Sequence, residues 1–257
     1  MYDGLTVTRN DAGVAQITLS RPERLNALGV AMVDSLIRAV ADVQSASVLI
    51  VRGSGRAFSA GADLKERAGM QEPARRAHNR AINAVIDAIA ALPMPTIAAV
   101  NGLALGGGCE LALGCDIRIA VDSATIGLTE ARIGAIPGAG GTQRLPRLIG
   151  IARALDLMFT AEPISAARAL DIGLVNHVYS AADFDAAVEK YAALVASRAP
   201  SSTVLLKRVV NQGMACSLAD GLAVEHEALK SVLGSADYAE GLAAFAEKRA
   251  PRFAPRG

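Results

Sequence analysis

Thr96-Ile97-Ala98-Ala99-Val100-Asn101-Gly102-Leu103-Ala104-Leu105-Gly106-Gly107-Gly108-Cys109-Glu110-Leu111-Ala112-Leu113 joins a strand-like run to a helix-like run through a glycine turn, and it sets a carboxylate inside an apolar segment. Thr96–Val100 is short, partly β-branched and bounded by Pro93 and Pro95, which reads as a buried strand. From Gly106 onward the pattern predicts a helix with Glu110, Leu111 and Leu113 in its first turns. Glycines at a strand-to-helix turn let a ligand approach the backbone, and a helix start presents unpaired N–H groups with partial positive charge. That combination suits an oxyanion. Residues three apart share a helix face, so the N–H of Gly107 and the side chain of Glu110 can address one substrate. The first stabilises negative charge and the second moves a proton.

Two further segments extend this reading. Glu130-Ala131-Arg132-Ile133-Gly134-Ala135-Ile136-Pro137-Gly138-Ala139-Gly140-Gly141-Thr142-Gln143-Arg144 carries a second carboxylate just before another glycine-rich turn, twenty positions after Glu110. Ala57-Phe58-Ser59-Ala60-Gly61-Ala62-Asp63-Leu64-Lys65 follows the strand-like residues 48–51 and offers another backbone N–H near Ala62. Two donors and two carboxylates make an acid/base site. Farther out, Val14–Leu19 and residues 48–51 read as strands, and Val30, Val33, Leu36, Ile37 and Val40 trace one helical face between them. This is a β-α-β rhythm. A helix is predicted over residues 74–92, a strand over 172–178, and helices over 182–198, 203–215, 218–233 and 236–248.

A chain of 257 residues can bury a substantial core as one domain. With 26 basic against 25 acidic residues, 4% aromatics and no tryptophan, there is no electrostatic case for a nucleic-acid or membrane partner, which leaves a small molecule. Pro93, Pro95, Glu110 and Asp116 interrupt the apolar stretches before any reaches transmembrane length. Cys109, Cys115 and Cys216 are odd in number and lack zinc spacing, and Met1-Tyr2-Asp3-Gly4 has no basic region followed by an apolar core. The expectation is a reducing cytoplasm. Gly138-Ala139-Gly140-Gly141 lacks the lysine and hydroxyl of a phosphate loop, and Ser59 is not in a Gly-x-Ser-x-Gly elbow. His78, His177 and His226 have neither triad nor metal spacing, so no metal site is expected. The apolar neighbours of Cys109 and Cys115 favour packing over nucleophilic roles, and Asp116 reads as a structural partner at a strand start.

Taken in order, Arg21-Pro22 through Asn26-Ala27-Leu28, the 58–65 segment, Asn101 through Glu110, Cys115-Asp116, Glu130 and the 136–144 segment resemble the crotonase superfamily, also called the enoyl-CoA hydratase/isomerase family. The likeness runs from about Leu5 to Phe253. It implies an α/β fold, a spiral of β-β-α repeats followed by helices that build a trimer, commonly stacked as a dimer of trimers. Residues 1–195 then form the core with the catalytic and CoA-binding site, and residues 196–257 form a helical region for oligomerisation and active-site cover. It further implies an acyl-CoA thioester held by the backbone N–H groups of Ala62 and Gly107, with coenzyme A part of the substrate and no separate cofactor. By matching positions, CoA contacts fall to Arg24, Leu25, Ala60, Ala62, Asp63, Leu64, Lys65, Gly106, Gly107, Pro137 and Gly138, with Phe245 and Lys248 coming from a neighbouring subunit.

The resemblance also implies the chemistry. With both hydratase glutamates present, water adds to a trans-2-enoyl-CoA to give a 3-hydroxyacyl-CoA, Glu110 activating the water and Glu130 relaying the proton at C2. The nearest enzyme alternative, double-bond isomerisation, needs only Glu130. The wording at residues 61–68, 102–108, 211–214 and 221–223 is similar to methylglutaconyl-CoA hydratases in particular. Some members of that branch bind AU-rich RNA, a property associated with lysines along their first helix, which makes an RNA-binding or assembly protein the reading from a different class. Here residues 28–44 carry Arg38 as their only cation, offset by Asp34 and Asp42, so nucleic acid is not an expected partner.

Overall fold

Alternating apolar residues open the chain as a hairpin, with β1 (Leu5–Arg9) antiparallel to β2 (Val14–Leu19) and Leu5 opposite Leu19. In the computed structural model, which describes residues 2–254, the chain continues through α1 (Val30–Asp42), β3 (Val48–Gly53), β4 (Ala57–Ser59), α2 (Leu64–Ala68) and α3 (Glu72–Ala91). Next come β5 (Thr96–Val100), β6 (Leu103–Leu105), α4 (Gly107–Leu113), β7 (Ile117–Val121) and β8 (Thr125–Gly127). A 3₁₀ turn (Glu130–Ile133) leads to α5 (Gly141–Ile149), α6 (Ile151–Thr160), β9 (Ile164–Ser165), α7 (Ala166–Asp171) and β10 (His177–Tyr179). Four helices close the chain: α8 (Phe184–Ala196), α9 (Pro200–Gly213), α10 (Leu218–Leu233) and α11 (Ala236–Ala246).

The expected spiral is visible in the sheet order. One sheet runs β1-β2-β3-β5-β7-β10 and the other β4-β6-β8-β9. Each turn of the chain lays a strand in the first sheet and the next strand in the second, as in β3 and β4, β5 and β6, β7 and β8. The strands β2, β3, β5, β7 and β10 are mutually parallel, as are β4, β6 and β8. Parallel strands covered on both faces read as continuous apolar runs, and every residue of β5 is buried. The core gathers Ile17, Leu49, Ile97 and Phe58 from the strands, and Leu36 and Ile86 from α1 and α3.

Two expectations need correction. The helical face drawn through Val30, Val33, Leu36, Ile37 and Val40 is shifted: Met32, Val33, Leu36, Ala39 and Val40 are buried, while Val30 and Ile37 are 40% and 41% exposed at its margins. The strand expected over residues 172–178 is only β10 at its far end. Gly173 takes φ +78, and the N–H groups of Leu174 and Val175 turn back to the Ala169 carbonyl to close α7. An unbroken apolar run does not by itself distinguish a buried helix end from a strand.

The last helices begin and end within a few residues of expectation, α9 starting at Pro200 because proline suits the first helical turn. Lys207 on α9 ties them to the core through Asp116 at 2.7 Å and the Met94 carbonyl at 3.2 Å. Asp116 also accepts from the backbone N–H and the hydroxyl of Thr96, which is the structural role expected of it. Arg118 is buried and bonds the carbonyls of Cys115 and Leu174, joining β7 to the end of α4 and to the α7–β10 connection.

Tight backbone contact leads to a prediction. A Cβ on Gly108 would lie 2.1 Å from the Ser59 carbonyl oxygen. Overpacking of this kind costs about 1–3 kcal/mol, occasionally more, so Gly108→Ala should lower the thermal midpoint clearly in a melting experiment. An unchanged midpoint would mean that α4 and β4 are not pressed together as described.

Candidate active site

The loop that carries Ala62 is held by side chains from the segment before α1. Asn26, buried and at φ +54, accepts from the Arg21 N–H at 2.9 Å and donates to the Ser54 and Ala57 carbonyls at 2.9 and 2.8 Å. The Ser59 hydroxyl donates to the Asn26 carbonyl at 2.8 Å and accepts from the Gly61 N–H at 3.1 Å. Leu28 then bridges the strap in parallel fashion, donating to the Gly61 carbonyl and accepting from the Asp63 N–H. That pattern uses the peptides on either side of Ala62, so its own N–H points the opposite way.

It points toward the start of α4. A Cβ on Gly61 (φ +83) would sit 2.6 Å from the Leu105 carbonyl and 2.7 Å from the Gly107 nitrogen, and one on Gly107 would sit 3.4 Å from the Ala62 nitrogen. Only glycine allows that approach. The N–H groups of Ala62 and Gly107 therefore converge, and among the described residues neither has a hydrogen-bond acceptor. Two convergent, unsatisfied donors have the chemistry that a developing oxyanion requires.

Glu110, one turn into α4, is 3% exposed, and its Oε1 accepts from the Ala139 and Gly141 N–H groups at 2.6 and 2.9 Å. Burial raises its pKa, and these two N–H groups, with Arg144 and Arg67 more distantly, oppose the rise. Glu130 opens the 3₁₀ turn, and its Oε2 is buried without a hydrogen-bond partner among the described residues. Burial pushes Glu130 up to about 7, the negative charge of Glu110 adds to the rise, and Arg67 opposes it. Both glutamates share one cavity of about 290 Å³ with Ala62 and Gly107, walled by Leu64, Ile82, Leu105, Ile133 and Ile136.

The site repeats one address three times. Ala62 lies three residues past β4, Gly107 two past β6 and Glu130 three past β8, and those strands are neighbours in the second sheet.

Of the remaining residues expected at the site, Ala60, Leu64, Gly106 and Gly138 line the same cavity. Arg24, Asp63 and Lys65 line a separate surface hollow with Arg21 and Glu66. There Arg24 pairs with Asp63 at 2.6 Å, while Asp63 also caps α2 through the Glu66 N–H. Leu25, at φ +51, faces another hollow with Arg56 and Asn101. Pro137 packs beside Gly141 without lining the cavity. Phe245 is 86% exposed on α11, Lys248 follows that helix, and neither lines the cavity within this chain.

Sequence reasoning missed the groups that orient this site. Arg67 lines the cavity, its Nε donating to Nδ1 of His78 and its Nη2 to Oδ1 of Asn79, each at 3.3 Å. The N–H groups of Ala139 and Gly141 fix Glu110, and the glycine run there was the one available signal. Cys109 and Cys115 are buried, and burial raises both thiols, Cys115 to about 12, so neither supplies a thiolate near neutral pH.

The chain belongs to the enoyl-CoA hydratase/isomerase family, whose model matches residues 9–256. It is 42% identical over 255 residues to mouse (Mus musculus) enoyl-CoA hydratase domain-containing protein 2, mitochondrial, covering 96% of this chain and 86% of that one. It is also 42% identical over 249 residues to the rat (Rattus norvegicus) mitochondrial methylglutaconyl-CoA hydratase, covering 94% and 79%. The crystal structure of an enoyl-CoA hydratase from Bacillus anthracis superposes with a TM-score of 0.96 at 42% identity, covering 98% of this chain and 99% of that one. The fold is the crotonase fold.

Glu130 also yields a stability prediction. Its pKa in the fold lies above the ordinary value of 4.5, so between 4.5 and about 7 the folded chain keeps a proton that the unfolded chain has released. The stabilisation is full below the lower value and is lost as pH rises through the upper one. Glu130→Gln should therefore melt higher than wild type, and the gap should widen from about pH 5 to about pH 8. A gap that does not change with pH would show that burial does not hold the proton on Glu130.

Proposed function

We propose that the protein is an enoyl-CoA hydratase that adds water reversibly to a trans-2-enoyl-CoA. The observation that carries this reading is the convergence of two acceptor-free backbone N–H groups and two buried glutamates in one cavity. The thioester oxygen binds between Ala62 and Gly107. Glu110, anchored through Oε1, keeps its other oxygen for a water and takes that water's proton as the oxygen attacks C3. The negative charge that builds on the thioester oxygen is met by the two N–H groups, and Glu130 delivers a proton to C2. No cofactor beyond the CoA of the substrate enters this scheme.

The magnitudes are adequate only in combination. An oxyanion donor contributes roughly 100- to 1,000-fold and general acid–base catalysis roughly 100- to 10,000-fold. Hydration should be followed as loss of the conjugated thioester absorbance of crotonyl-CoA, with the product mass confirmed. Glu110→Gln and Glu130→Gln should fold and each lose about 100-fold or more of the rate. Near wild-type turnover by either variant removes that residue from the mechanism. The family description also includes isomerases, and a proton carrier such as Glu130 suffices for that reaction. A wild-type enzyme that shifts the double bond of a 3-enoyl-CoA faster than it hydrates crotonyl-CoA would establish isomerisation instead.

The same reading includes a homotrimer or a dimer of trimers in a reducing cytoplasm, and excludes nucleic acid as a partner. It is supported by apolar side chains left open on α9, α10 and α11, among them Leu206, Val210, Leu218, Leu233 and Phe245. The three cysteines are free thiols. Equilibrium sedimentation should give three or six times the chain mass, and a monomer would overturn the assembly.

A further inference from the structure

Asn79, Asn83 and Asp87 stand four residues apart on α3, so they share one helix face. The adjoining face buries Ile82, Val85, Ile86 and Ile89 in the core. All three polar side chains lead to one target, the glycine-rich turn before α5. The Asn83 amide nitrogen donates to the Gly138 carbonyl, and to the Asn79 carbonyl of its own helix at 3.0 Å, which uses both of its hydrogens. The Asn79 amide nitrogen reaches the same Gly138 carbonyl at a longer 3.4 Å, its oxygen accepting from Arg67 at 3.3 Å. Asp87 holds Arg144 at 2.6 Å, and Arg144 donates to the Ala139 carbonyl at 3.1 Å.

This is the backbone that grips Glu110. In a planar trans peptide the N–H and C=O point in opposite directions, so fixing the Gly138 carbonyl also fixes the Ala139 N–H. That N–H donates to Glu110 Oε1 at 2.6 Å. The other donor to the same oxygen, the Gly141 N–H, is held by the helix itself, because the carbonyl of its peptide, on Gly140, accepts from the Gln143 and Arg144 N–H groups. Among the described residues no backbone N–H bonds the Gly138 carbonyl. A peptide next to glycine rotates readily unless something outside the loop restrains it. Gly138 and Ala139 line the cavity and Asn83 does not, so Asn83 acts on the site only through that peptide.

Building on the hydratase reading above, we propose that Asn83 is a positioning residue for that reaction, holding the peptide between Gly138 and Ala139 so that its N–H stays on one oxygen of Glu110 and leaves the other for the water. The charges that act on Glu110 are Arg144 on α5, Arg67 on α2 and Glu130 on the 3₁₀ turn. Among the described residues the Asn83 amide bonds none of them. Replacing it therefore tests the peptide and not the charges.

The test compares Asn83→Ala and Asn83→Gln with wild type in the full chain. Alanine removes both donors while favouring the helix, and glutamine restores an amide donor. Crotonyl-CoA hydration is followed across a range of pH, and the Glu110 carboxyl is titrated by carbon-13 NMR, its resonance identified by its absence from Glu110→Gln. Loosening one of two N–H donors disfavours the ionised carboxylate, so in Asn83→Ala Glu110 should titrate about one pH unit higher and the acidic limb of kcat/KM should move with it. On that limb the rate falls about tenfold, while KM stays within about twofold because the donors at Ala62 and Gly107 are untouched. Asn83→Gln should return both titrations most of the way. A residue that only docks α3 onto the turn would lower the melting midpoint and kcat and leave both titrations where wild type has them, which overturns the assignment, as does no change at all. An unmoved Glu110 in an active enzyme sinks this inference alone, whereas a wild type that hydrates no enoyl-CoA sinks the hydratase reading and with it the reaction that Asn83 serves.

Discussion

The structure depends on two stretches of backbone approaching closer than any side chain permits. Gly61 and Gly107 face each other, Gly108 presses on the Ser59 carbonyl, and Gly106 turns at φ +51 to send the chain into α4. Each glycine costs conformational entropy, about 0.5–1 kcal/mol relative to alanine in regular structure. Buried strands on either side offset this. Small residues in β5, Ala98 and Ala99, are fully buried, so the turn is delivered to the same place by a rigid sheet. A looser junction would separate the N–H groups of Ala62 and Gly107 and leave two ordinary loops.

The spiral explains why residues so far apart in sequence meet. Because β4, β6 and β8 are parallel neighbours, whatever follows each strand emerges at the same edge of the second sheet. One repeat supplies Ala62, the next supplies Gly107 and Glu110, and the third supplies Glu130. The candidate site divides accordingly, since its backbone donors come from the first two turns and its carboxylates from the second and third. The glycine-rich segment before α5 then reaches back to hold Glu110, so a later part of the chain completes a site that earlier parts begin.

What was legible in the sequence was local. Thr96–Val100 and Leu218–Leu233 have the bounds expected of them, because an apolar run between Pro95 and Asn101-Gly102 and a helix between Ser217 and Gly234 carry their own start and stop signals. Glu110 attracted attention because a carboxylate in an apolar segment needs a reason. Periodicity alone did not reveal the second sheet, whose strands β4, β6 and β8 have three residues each, too short to display alternation. The crotonase resemblance supplied that sheet in advance. Arg67 reads as a surface cation within Lys65-Glu66-Arg67, and only the return of α3 places His78 and Asn79 against it. Its role is a product of tertiary structure. The buried turn at Ile172, Leu174 and Val175 was misread for the same reason, since burial without a period has no preferred backbone.

The two glutamates show how one residue type meets two different environments. Both are withdrawn from water, which favours the protonated acid in each. Glu110 meets two backbone N–H groups on one oxygen, and such donors favour the ionised form. Glu130 has one buried oxygen with no donor among the described residues, so its own backbone N–H and Arg67 offset only part of the cost of its charge, and Glu110 raises that cost further. Environments that differ in this way are what a base and an acid drawn from one residue type require. On the proposed reaction, Glu110 takes the proton of water and Glu130 carries the proton of C2. Arg67 acts on both by lowering the cost of negative charge.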